Sequence, residues 1–514
     1  MNNRKVDPDG GGLVRRSAAF ASVLCFLIAG CVDEGAAREE RIARVEAGLI
    51  PGTGVVIKGR PIPAAGLSER MSAYRVPAVS IALIDENRIS WARGYGVTDH
   101  ESARAVTPET LFQAASISKP VAAAAALKLV EEGRLDLDEN VNTYLESWKL
   151  PENDLTAQKP VTLRRLLSHT AGLTVHGFRG YAAHEDVPTL NQVLDGEAPA
   201  NSDPIRVDTL PGSMWRYSGG GYTVMQKLLI DRTGLSFPRL LQESVLSPSG
   251  MSRSSYVQPL PEESAGDAAV AHRMNGKPIK GRWHTYPEMA AAGLWTTPTD
   301  LCRFALEVAR AFQGGSGPLL ASESAREMLT EVDDGYGLGF GVRSEGEKFS
   351  FSHSGGNEGF RCLVVMWPRR GQGAAVMTNG DFGGNLYIEI MRALAREYDW
   401  PDFRVREKIP ADLSVEQREA VTGVYDLKPG GKLKIRSESG RLFADPVYVI
   451  PDGRREVELF SESPVVFFAV ETDLDIHFER GEEGMVTGFS MEQNRRRRRG
   501  VRIGDSSGDR SPAE

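Results

Sequence analysis

The strongest helix signal in this 514-residue chain is an alanine- and leucine-rich run from Pro120 to Val130. The run contains no glycine and stops before Gly133, so it predicts one helix with a defined C-terminal end. A loop enters this helix through Ser116 and Lys119, which a helical turn would place on the same side. This spacing lets a lysine amine reach the serine oxygen, as an activated nucleophile requires.

The same spacing has a simpler interpretation, in which Ser116 caps the helix and Lys119 is a solvated surface lysine. Taken alone, Ser-x-x-Lys favours this simpler interpretation. The helix N-terminus also offers free backbone N–H groups and a partial positive charge, which would favour an anion developing at the serine. The surrounding sequence therefore has to decide between the two interpretations.

The surrounding segments favour the interpretation of Ser116 as a nucleophile, because they occur in the order found in one enzyme superfamily. In chain order they are Val76–Ala82, Gly94–Gly96, Thr107–Phe112, Ser116–Pro120, Glu132–Asp138, Leu166–Leu173, Pro211–Ser218, Ala292–Thr297 with Asp300, and Phe351–Phe360. The chain thereby resembles the serine β-lactamase and penicillin-binding-protein superfamily, in its branch of class C β-lactamases, D-aminopeptidases and esterases. The resemblance covers residues 64–398, about two-thirds of the chain.

The resemblance implies catalytic roles for the first two motifs. Ser116 is the nucleophile that becomes acylated, and Lys119 is its proton-transfer partner. The second motif, Tyr-x-Asn in the class C enzymes, is Tyr217-Ser218-Gly219 here, so Tyr217 would share the proton relay. Gly219 stands where those enzymes have an asparagine beside the substrate. The implied reaction is acyl transfer to serine followed by hydrolysis, with no metal and no organic cofactor.

The third motif, usually Lys-Thr-Gly on a strand that lines the cleft, is His353-Ser354-Gly355 here. The resemblance implies that His353 is catalytic and that Ser354 and Gly355, like Gly219, contact the substrate. It also implies that the N–H of Gly356 pairs with that of the nucleophilic serine as the oxyanion hole. With an ordinary pKa of about 6.5, His353 would be mostly neutral at about pH 7.5 and cationic at lower pH.

His169 belongs to the segment Leu166–Leu173, in which the family has a histidine beneath the floor of the active site. We therefore expect a structural role for His169 rather than direct catalysis.

The implied fold class is α+β, an antiparallel sheet flanked by helices with a helical lobe, and the cleft between lobe and sheet. After Leu413 short alternating strands recur, which predicts a small C-terminal β-barrel or sandwich. We predict a signal peptide at 1–30, a tether and lead-in segment at 31–63, the hydrolase domain at 64–400, a linker at 401–412, the C-terminal β domain at 413–504 and a disordered tail at 505–514.

The N-terminus predicts export. Two arginines at 15 and 16 precede an apolar run from Ala18 to Ala29, which is too short to span a bilayer but has the length of a signal-peptide core. The following Gly30-Cys31 completes a sequence similar to a bacterial lipobox, so we expect Cys31 to be lipidated. Val32 is not the aspartate typical of inner-membrane retention, which favours the periplasmic face of the outer membrane. An ordinary secretory signal is the alternative.

Composition excludes several other classes of protein. The net charge is −8 and the basic residues are scattered apart from 495–499, so we expect no nucleic-acid partner. Residues 495–499 could bind lipid, but a solvated strand end is favoured. No cysteine and histidine cluster has metal-ligand spacing. Cys302 and Cys362 are the two cysteines that could form an internal bridge, and two unpaired buried thiols are favoured.

Three functions remain open. The first is a hydrolase of esters or of D-amino-acid-containing amides and peptides, and the second is a β-lactamase or D-alanyl carboxypeptidase. The third is a receptor without catalytic activity that binds cell-wall fragments, although Ser116, Lys119 and Tyr217 together count against it. The expected partners are accordingly a small ester, peptide or β-lactam-like substrate and, through Cys31, a membrane.

Overall fold

The computed structural model describes residue 1 and residues 35–343, 346–428, 431–445, 455–472, 474–493 and 496–504. The predicted signal peptide, Cys31 and the predicted tail thus lie outside the described residues. Among the residues described, no helix is long and apolar enough to cross a membrane.

The described strands form a six-stranded sheet, a closed barrel and two small two-stranded sheets. The strands are β1 Val55–Ile57, β2 Ala78–Asp85, β3 Arg88–Gly96, β4 Phe112–Gln113, β5 Trp295–Thr296, β6 Gly341–Arg343, β7 Ser350–Asn357, β8 Phe360–Trp367, β9 Gln372–Thr378, β10 Arg406–Lys408, β11 Gly423–Lys428, β12 Lys432–Glu438, β13 Arg441–Asp445, β14 Val457–Ser461, β15 Val466–Ala469, β16 Leu474–Arg480, β17 Val486–Gln493 and β18 Arg496–Gly504.

The described helices surround the six-stranded sheet and build a lobe beside it. They are α1 at 35–47, α2 Leu67–Ala73, α3 Ser118–Glu131, α4 Val141–Tyr144, α5 Asp154–Gln158, α6 Leu163–Leu167, α7 Leu190–Asp195, α8 Gly219–Thr233, α9 Phe237–Leu241, α10 Glu262–Ala265, α11 Met289–Ala292, α12 Pro298–Phe312, α13 Ser322–Met328, α14 Gly383–Glu397 and α15 Val415–Ala420.

The six-stranded sheet has the order β3-β2-β9-β8-β7-β6 and is antiparallel throughout. Helices cover both of its faces, so the central strands are buried along nearly their whole length rather than in alternation. In β2, for example, Ala82 and Ile84 join the core that contains α3 and α12, whereas Ile81 and Leu83 join the core beneath α14. The predicted α+β fold is confirmed.

Helix α3 runs through the centre of the lobe core. Its alanines from Ala122 to Ala126 are fully buried. Small side chains allow close approach, and α8, α11 and α13 all pack against α3. The alanine-rich run that predicted this helix therefore places its N-terminus, with Ser116 just ahead of it, inside a packed core.

The C-terminal strands β11 to β18 form a barrel, which closes where β11 pairs with β18. Alternate residues point inward and fill the barrel with apolar side chains, including Tyr425, Ile435 and Phe489. The prediction of a barrel or sandwich is confirmed as a closed barrel.

The prediction that residues 31–63 form a tether is wrong for its described part. Ile42 and Val45 of α1 and the following Leu49 are buried beneath the sheet, and β1 pairs in parallel with β10, which lies in the predicted linker. The Thr53 hydroxyl donates to the Val470 carbonyl of the barrel at 3.1 Å. The charge and glycine content of this segment concealed an apolar helix face whose members are three and four residues apart.

Candidate active site

Ser116 lies in a short 3-10 turn, Ala115–Ile117, immediately before α3. Ala115 has a φ of 49°, in the left-handed region that a residue with a side chain rarely adopts. Backbone strain of this kind is common at catalytic turns, where it fixes the direction of a side chain. The Ser116 side chain is partly exposed at the surface of an otherwise buried turn.

Lys119 brings a titratable amine to Ser116. Its Nζ lies 3.0 Å from Ser116 Oγ and donates to the Ala291 carbonyl at 2.8 Å. Lys119 is buried, no carboxylate in the described part of the chain forms a salt bridge with it, and burial lowers the pKa of its ammonium to about 7. A substantial fraction of this lysine is therefore neutral at neutral pH and able to accept a proton from the serine hydroxyl.

The floor of the site is held by contacts to the start of α3. The Ser118 hydroxyl accepts the backbone N–H of Leu294 at 3.0 Å, and the Tyr256 hydroxyl donates to the Ser118 carbonyl at 2.7 Å. Both contacts bring the segment that contains α11, and with it the Ala291 carbonyl, against the nucleophile turn. The position of the Lys119 amine thus follows from packing between two separate parts of the chain.

Tyr217 approaches the same serine from the second motif. Burial raises the pKa of its phenol far above the ordinary range, and the nearby Ser116 side chain opposes this shift only in part. Lys119 Nζ lies 4.9 Å from the centroid of the Tyr217 ring. Tyr217 is therefore a neutral phenol at neutral pH, which can donate or relay a proton between serine and lysine.

The Phe178 ring lies beside Gly219 of the second motif. Gly219 begins α8 and is buried, and a Cβ atom on it would lie 3.0 Å from the Phe178 ring. An asparagine at this position would therefore require the ring to shift. Phe178 is partly exposed and packs against the lobe core. The predicted substrate contact of Gly219 stays a prediction.

The third motif lies on β7, where Ser354 and Gly356 are exposed and the residues between and before them are buried. Gly355 has a packing role, since a Cβ on it would lie 2.2 Å from the Ala114 carbonyl oxygen. The close approach of Gly355 brings β7 against the nucleophile turn, and exposed Gly356 follows beside it. The predicted substrate contact of Gly355 stays a prediction. The oxyanion-hole role of the Ser116 and Gly356 N–H groups stays a prediction.

His353 does not present a free nitrogen to the cleft. Its Nδ1 lies 2.6 Å from the carbonyl oxygen of Ser354, and its Nε2 lies 3.0 Å from the Tyr336 hydroxyl. Burial, with the nearby charge of Lys119, lowers the pKa of His353 to about 3. The expectation that His353 becomes a cation near pH 6 is wrong, because the buried ring would have to be charged beside another basic group.

His169 lies behind Tyr217, and the two ring centroids are 4.2 Å apart. The backbone N–H of Ser218 donates to His169 Nδ1 at 3.1 Å, so this histidine links two motifs of the site. Burial lowers the pKa of His169 well below its ordinary value. The contacts are those of a packed, neutral support for Tyr217.

Sequence reasoning missed Tyr336 and Asn357. The Tyr336 ring packs against the His169 and Trp215 rings, and glycines on both sides of it in Gly335-Tyr336-Gly337 were the signal for a constrained aromatic residue. Asn357 directly follows the third motif, and its amide donates to Gln113 Oε1 at 2.8 Å and to the Ala292 carbonyl at 3.1 Å. It therefore ties β7 to the floor of the site.

Outside the catalytic cluster, the two cysteines within the described residues are unpaired and buried, as favoured from the sequence. The Cys362 thiol donates to the Ala114 carbonyl at 3.0 Å. Among the described residues no group of histidine, cysteine, aspartate or glutamate side chains is arranged to hold a metal ion.

Comparisons with known proteins agree with this architecture. The family model described as Beta-lactamase matches residues 64–395. Protein flp of Staphylococcus aureus strain MRSA252 is 23% identical over 320 residues, which cover 59% of this chain and 60% of flp. Penicillin-binding protein 4* of Bacillus subtilis strain 168 is 22% identical over 424 residues, 77% of this chain and 88% of that protein. The chain thus spans less than two-thirds of the length of flp.

Two solved structures share the fold. The octameric penicillin-binding protein homologue from Pyrococcus abyssi superposes with a TM-score of 0.57 at 22% identity, covering 84% of this chain and 98% of that chain. SurE superposes with a TM-score of 0.52 at 19% identity, covering 85% and 97% respectively.

Proposed function

Since this chain belongs to the beta-lactamase family of serine hydrolases, we propose that it hydrolyses esters or D-amino-acid-containing amides through an acyl-Ser116 intermediate. The observation that carries the proposal is the Lys119 amine, 3.0 Å from the Ser116 hydroxyl and buried so that its pKa falls to about 7. A receptor that only binds cell-wall fragments has no need of a desolvated lysine beside a strained serine turn.

The proposed reaction begins when Ser116 Oγ attacks the substrate carbonyl carbon and its proton passes to neutral Lys119. The carbonyl oxygen becomes an oxyanion, which the N–H groups of Ser116 and Gly356 would stabilise. The C–O or C–N bond then breaks as the leaving group takes a proton from Lys119, directly or through Tyr217. Water repeats the sequence on the acyl-enzyme, giving up one proton to the same relay, and releases the acid and Ser116.

The surroundings of Ser116 favour substrates without a carboxylate near the scissile bond. The third motif contributes neutral His353 instead of a lysine cation, and Gly219 of the second motif has no side-chain amide. Esters and uncharged amides need neither group, whereas penicillins, cephalosporins and D-alanyl-D-alanine peptides present a carboxylate to the third motif. SurE, a structural neighbour, has been crystallised with D-Leu, which makes D-amino-acid derivatives reasonable members of the test panel.

A substrate panel tests this preference. We expect a higher kcat/KM for p-nitrophenyl acetate or butyrate and for D-amino amides than for a penicillin or cephalosporin at neutral pH. A cephalosporin hydrolysed with a higher kcat/KM than the esters would support the β-lactamase alternative instead. Ser116→Ala is the blank in each assay, because any hydrolysis that it retains comes from elsewhere.

We also propose that Cys31 carries a lipid anchor to the bacterial cell envelope. The support is the lipobox-like sequence that ends in Gly30-Cys31. Metabolic labelling with a clickable fatty acid should tag the wild-type protein and leave Cys31→Ser untagged. Unlabelled wild-type protein recovered from the medium would indicate an ordinary signal peptide.

A further inference from the structure

Tyr336 contacts the third motif through its side chain. It lies in the loop before β6, and its buried hydroxyl is 3.0 Å from His353 Nε2 and 3.0 Å from the Gly339 carbonyl oxygen. On its other side, the His353 ring meets the Ser354 carbonyl oxygen through Nδ1 at 2.6 Å. Both ring nitrogens are therefore engaged by protein atoms.

These contacts determine which nitrogen carries the proton. A carbonyl oxygen can only accept a hydrogen bond, so the short contact to Ser354 requires a proton on Nδ1. The Nε2 atom of a neutral ring then has a lone pair, and the Tyr336 hydroxyl is the donor that it faces. That phenolic proton is shared between Nε2 and the Gly339 carbonyl, since both acceptors lie at the same distance.

The environment of the ring opposes a second proton on it. The Lys119 amine is the basic group that acts on His353, and the other polar rings around it are those of Tyr217 and Tyr336, both uncharged phenols at neutral pH. No carboxylate among the described residues lies within salt-bridge distance of His353. An imidazolium here would be a buried cation without a counter-charge.

We propose that Tyr336 is a positioning residue that holds the His353 ring, so that its Nδ1–H stays on the Ser354 carbonyl and away from the substrate. The third motif is thereby prevented from donating a hydrogen bond to a substrate carboxylate, which makes Tyr336 a determinant of selectivity. This proposal rests on the proposed function, in that it names the residue behind the preference for uncharged substrates.

Tyr336→Phe removes the hydroxyl and leaves the ring in place. His353 then loses one of its two fixed contacts, and the ring is free to rotate and to turn its Nδ1–H from the Ser354 carbonyl towards the cleft. We expect the ratio of kcat/KM for a cephalosporin to that for p-nitrophenyl butyrate to rise about three- to tenfold, the effect of one hydrogen bond. A general loss of packing would lower both values together and leave the ratio unchanged.

Tyr222→Phe is the matched control. Tyr222 belongs to the same aromatic cluster and is also buried, but its hydroxyl donates to the Leu167 carbonyl at 2.8 Å and not to His353. Its loss removes a buried hydrogen bond of the same kind. The substrate ratio and the His353 tautomer should therefore stay at their wild-type values in this variant.

The direct test is the ¹⁵N spectrum of the histidine rings in the mature protein at pH 7, with the His353 signals identified from their loss in His353→Gln. We expect a protonated Nδ1 and an unprotonated, hydrogen-bonded Nε2 in the wild type and in Tyr222→Phe, and an Nε2 signal moved towards that of an imidazole nitrogen without a hydrogen bond in Tyr336→Phe. A wild-type ring protonated on Nε2, alone or with Nδ1, would overturn the proposal, as would an unchanged Nε2 signal in folded Tyr336→Phe.

The wild-type spectrum decides the proposal even if Tyr336→Phe does not fold. The spectrum also needs no turnover, so it separates this proposal from the proposed function. Failure of Ser116 to become acylated would refute the hydrolase and leave the tautomer result standing.

Discussion

The first and third motifs each bring a buried basic side chain to the same cleft, yet the two groups differ in what they can do. Burial lowers the pKa of Lys119 to about 7 and that of His353 to about 3. The Lys119 amine faces a serine hydroxyl whose proton it can take, whereas both nitrogens of His353 are held by fixed protein groups. A buried amine or imidazole can therefore act as a base only when a group that can give up a proton lies within hydrogen-bond distance.

The largest expected effect comes from the serine. Ser116→Ala removes the nucleophile and should lower kcat/KM for esters by about 10⁴-fold or more. The melting temperature and circular dichroism should be almost unchanged, because the partly exposed hydroxyl contributes little to the core. Retained turnover in a folded Ser116→Ala protein would show that Ser116 is not the nucleophile, so that Lys119 and His353 could no longer be compared by their effect on it.

Lys119→Ala should lower the acylation rate by about 10²- to 10⁴-fold, the usual contribution of a general base. We expect Lys119→Arg to acylate as slowly as Lys119→Ala, because a guanidinium keeps the charge but does not deprotonate near pH 7. Stopped-flow measurement of the first turnover isolates acylation. A near-normal rate in both variants would indicate that Tyr217 alone suffices as the base.

Glu288 provides a third buried titratable group, with no catalytic role in this account. Its carboxyl oxygens have no hydrogen-bond partner within normal limits among the described residues, and burial raises the pKa to about 8, against a smaller opposing effect of Tyr181. Because the folded pKa is raised, the unfolded chain ionises first and stability falls as the pH rises from about 4.5 to about 8, by at most about 1.4 kcal/mol per pH unit.

Glu288→Gln should remove that loss. The variant should unfold with a flatter pH dependence than the wild type between pH 5 and 8 in urea titrations, while both show similar stability near pH 4.5. If the free energies of unfolding of the two proteins changed in parallel with pH, Glu288 would be already ionised or paired in the folded state.

His353→Gln should have the smallest effect on ester hydrolysis. Glutamine can still offer a donor and an acceptor to the Ser354 carbonyl and the Tyr336 hydroxyl, so we expect less than about a tenfold change in kcat/KM for p-nitrophenyl butyrate. A loss as large as that of Lys119→Ala would put His353 on the proton path and erase the difference between the motifs.

Features that depend on local patterns could be predicted from the sequence, whereas features that depend on contacts between distant residues could not. The Ser116 and Lys119 pair follows from helix periodicity, which is local, and the closed barrel follows from short alternating strands. The state of His353 depends on Tyr336, a residue 17 positions away in a loop without regular structure. Ile42 and Val45 of α1 and the following Leu49 are separated by charged and small residues, and their partners on the sheet and α14 could not be identified from the segment itself.

The pH dependence of acylation tests the central claim, that Lys119 and not His353 is the titrating base. The rate at which a fluorophosphonate labels Ser116, followed by intact mass, should rise with pH through a single ionisation near 7 in the wild type. His353→Gln should keep that ionisation, and Lys119→Ala should lack it. A wild-type profile whose ionisation disappears in His353→Gln but persists in Lys119→Ala would contradict the account.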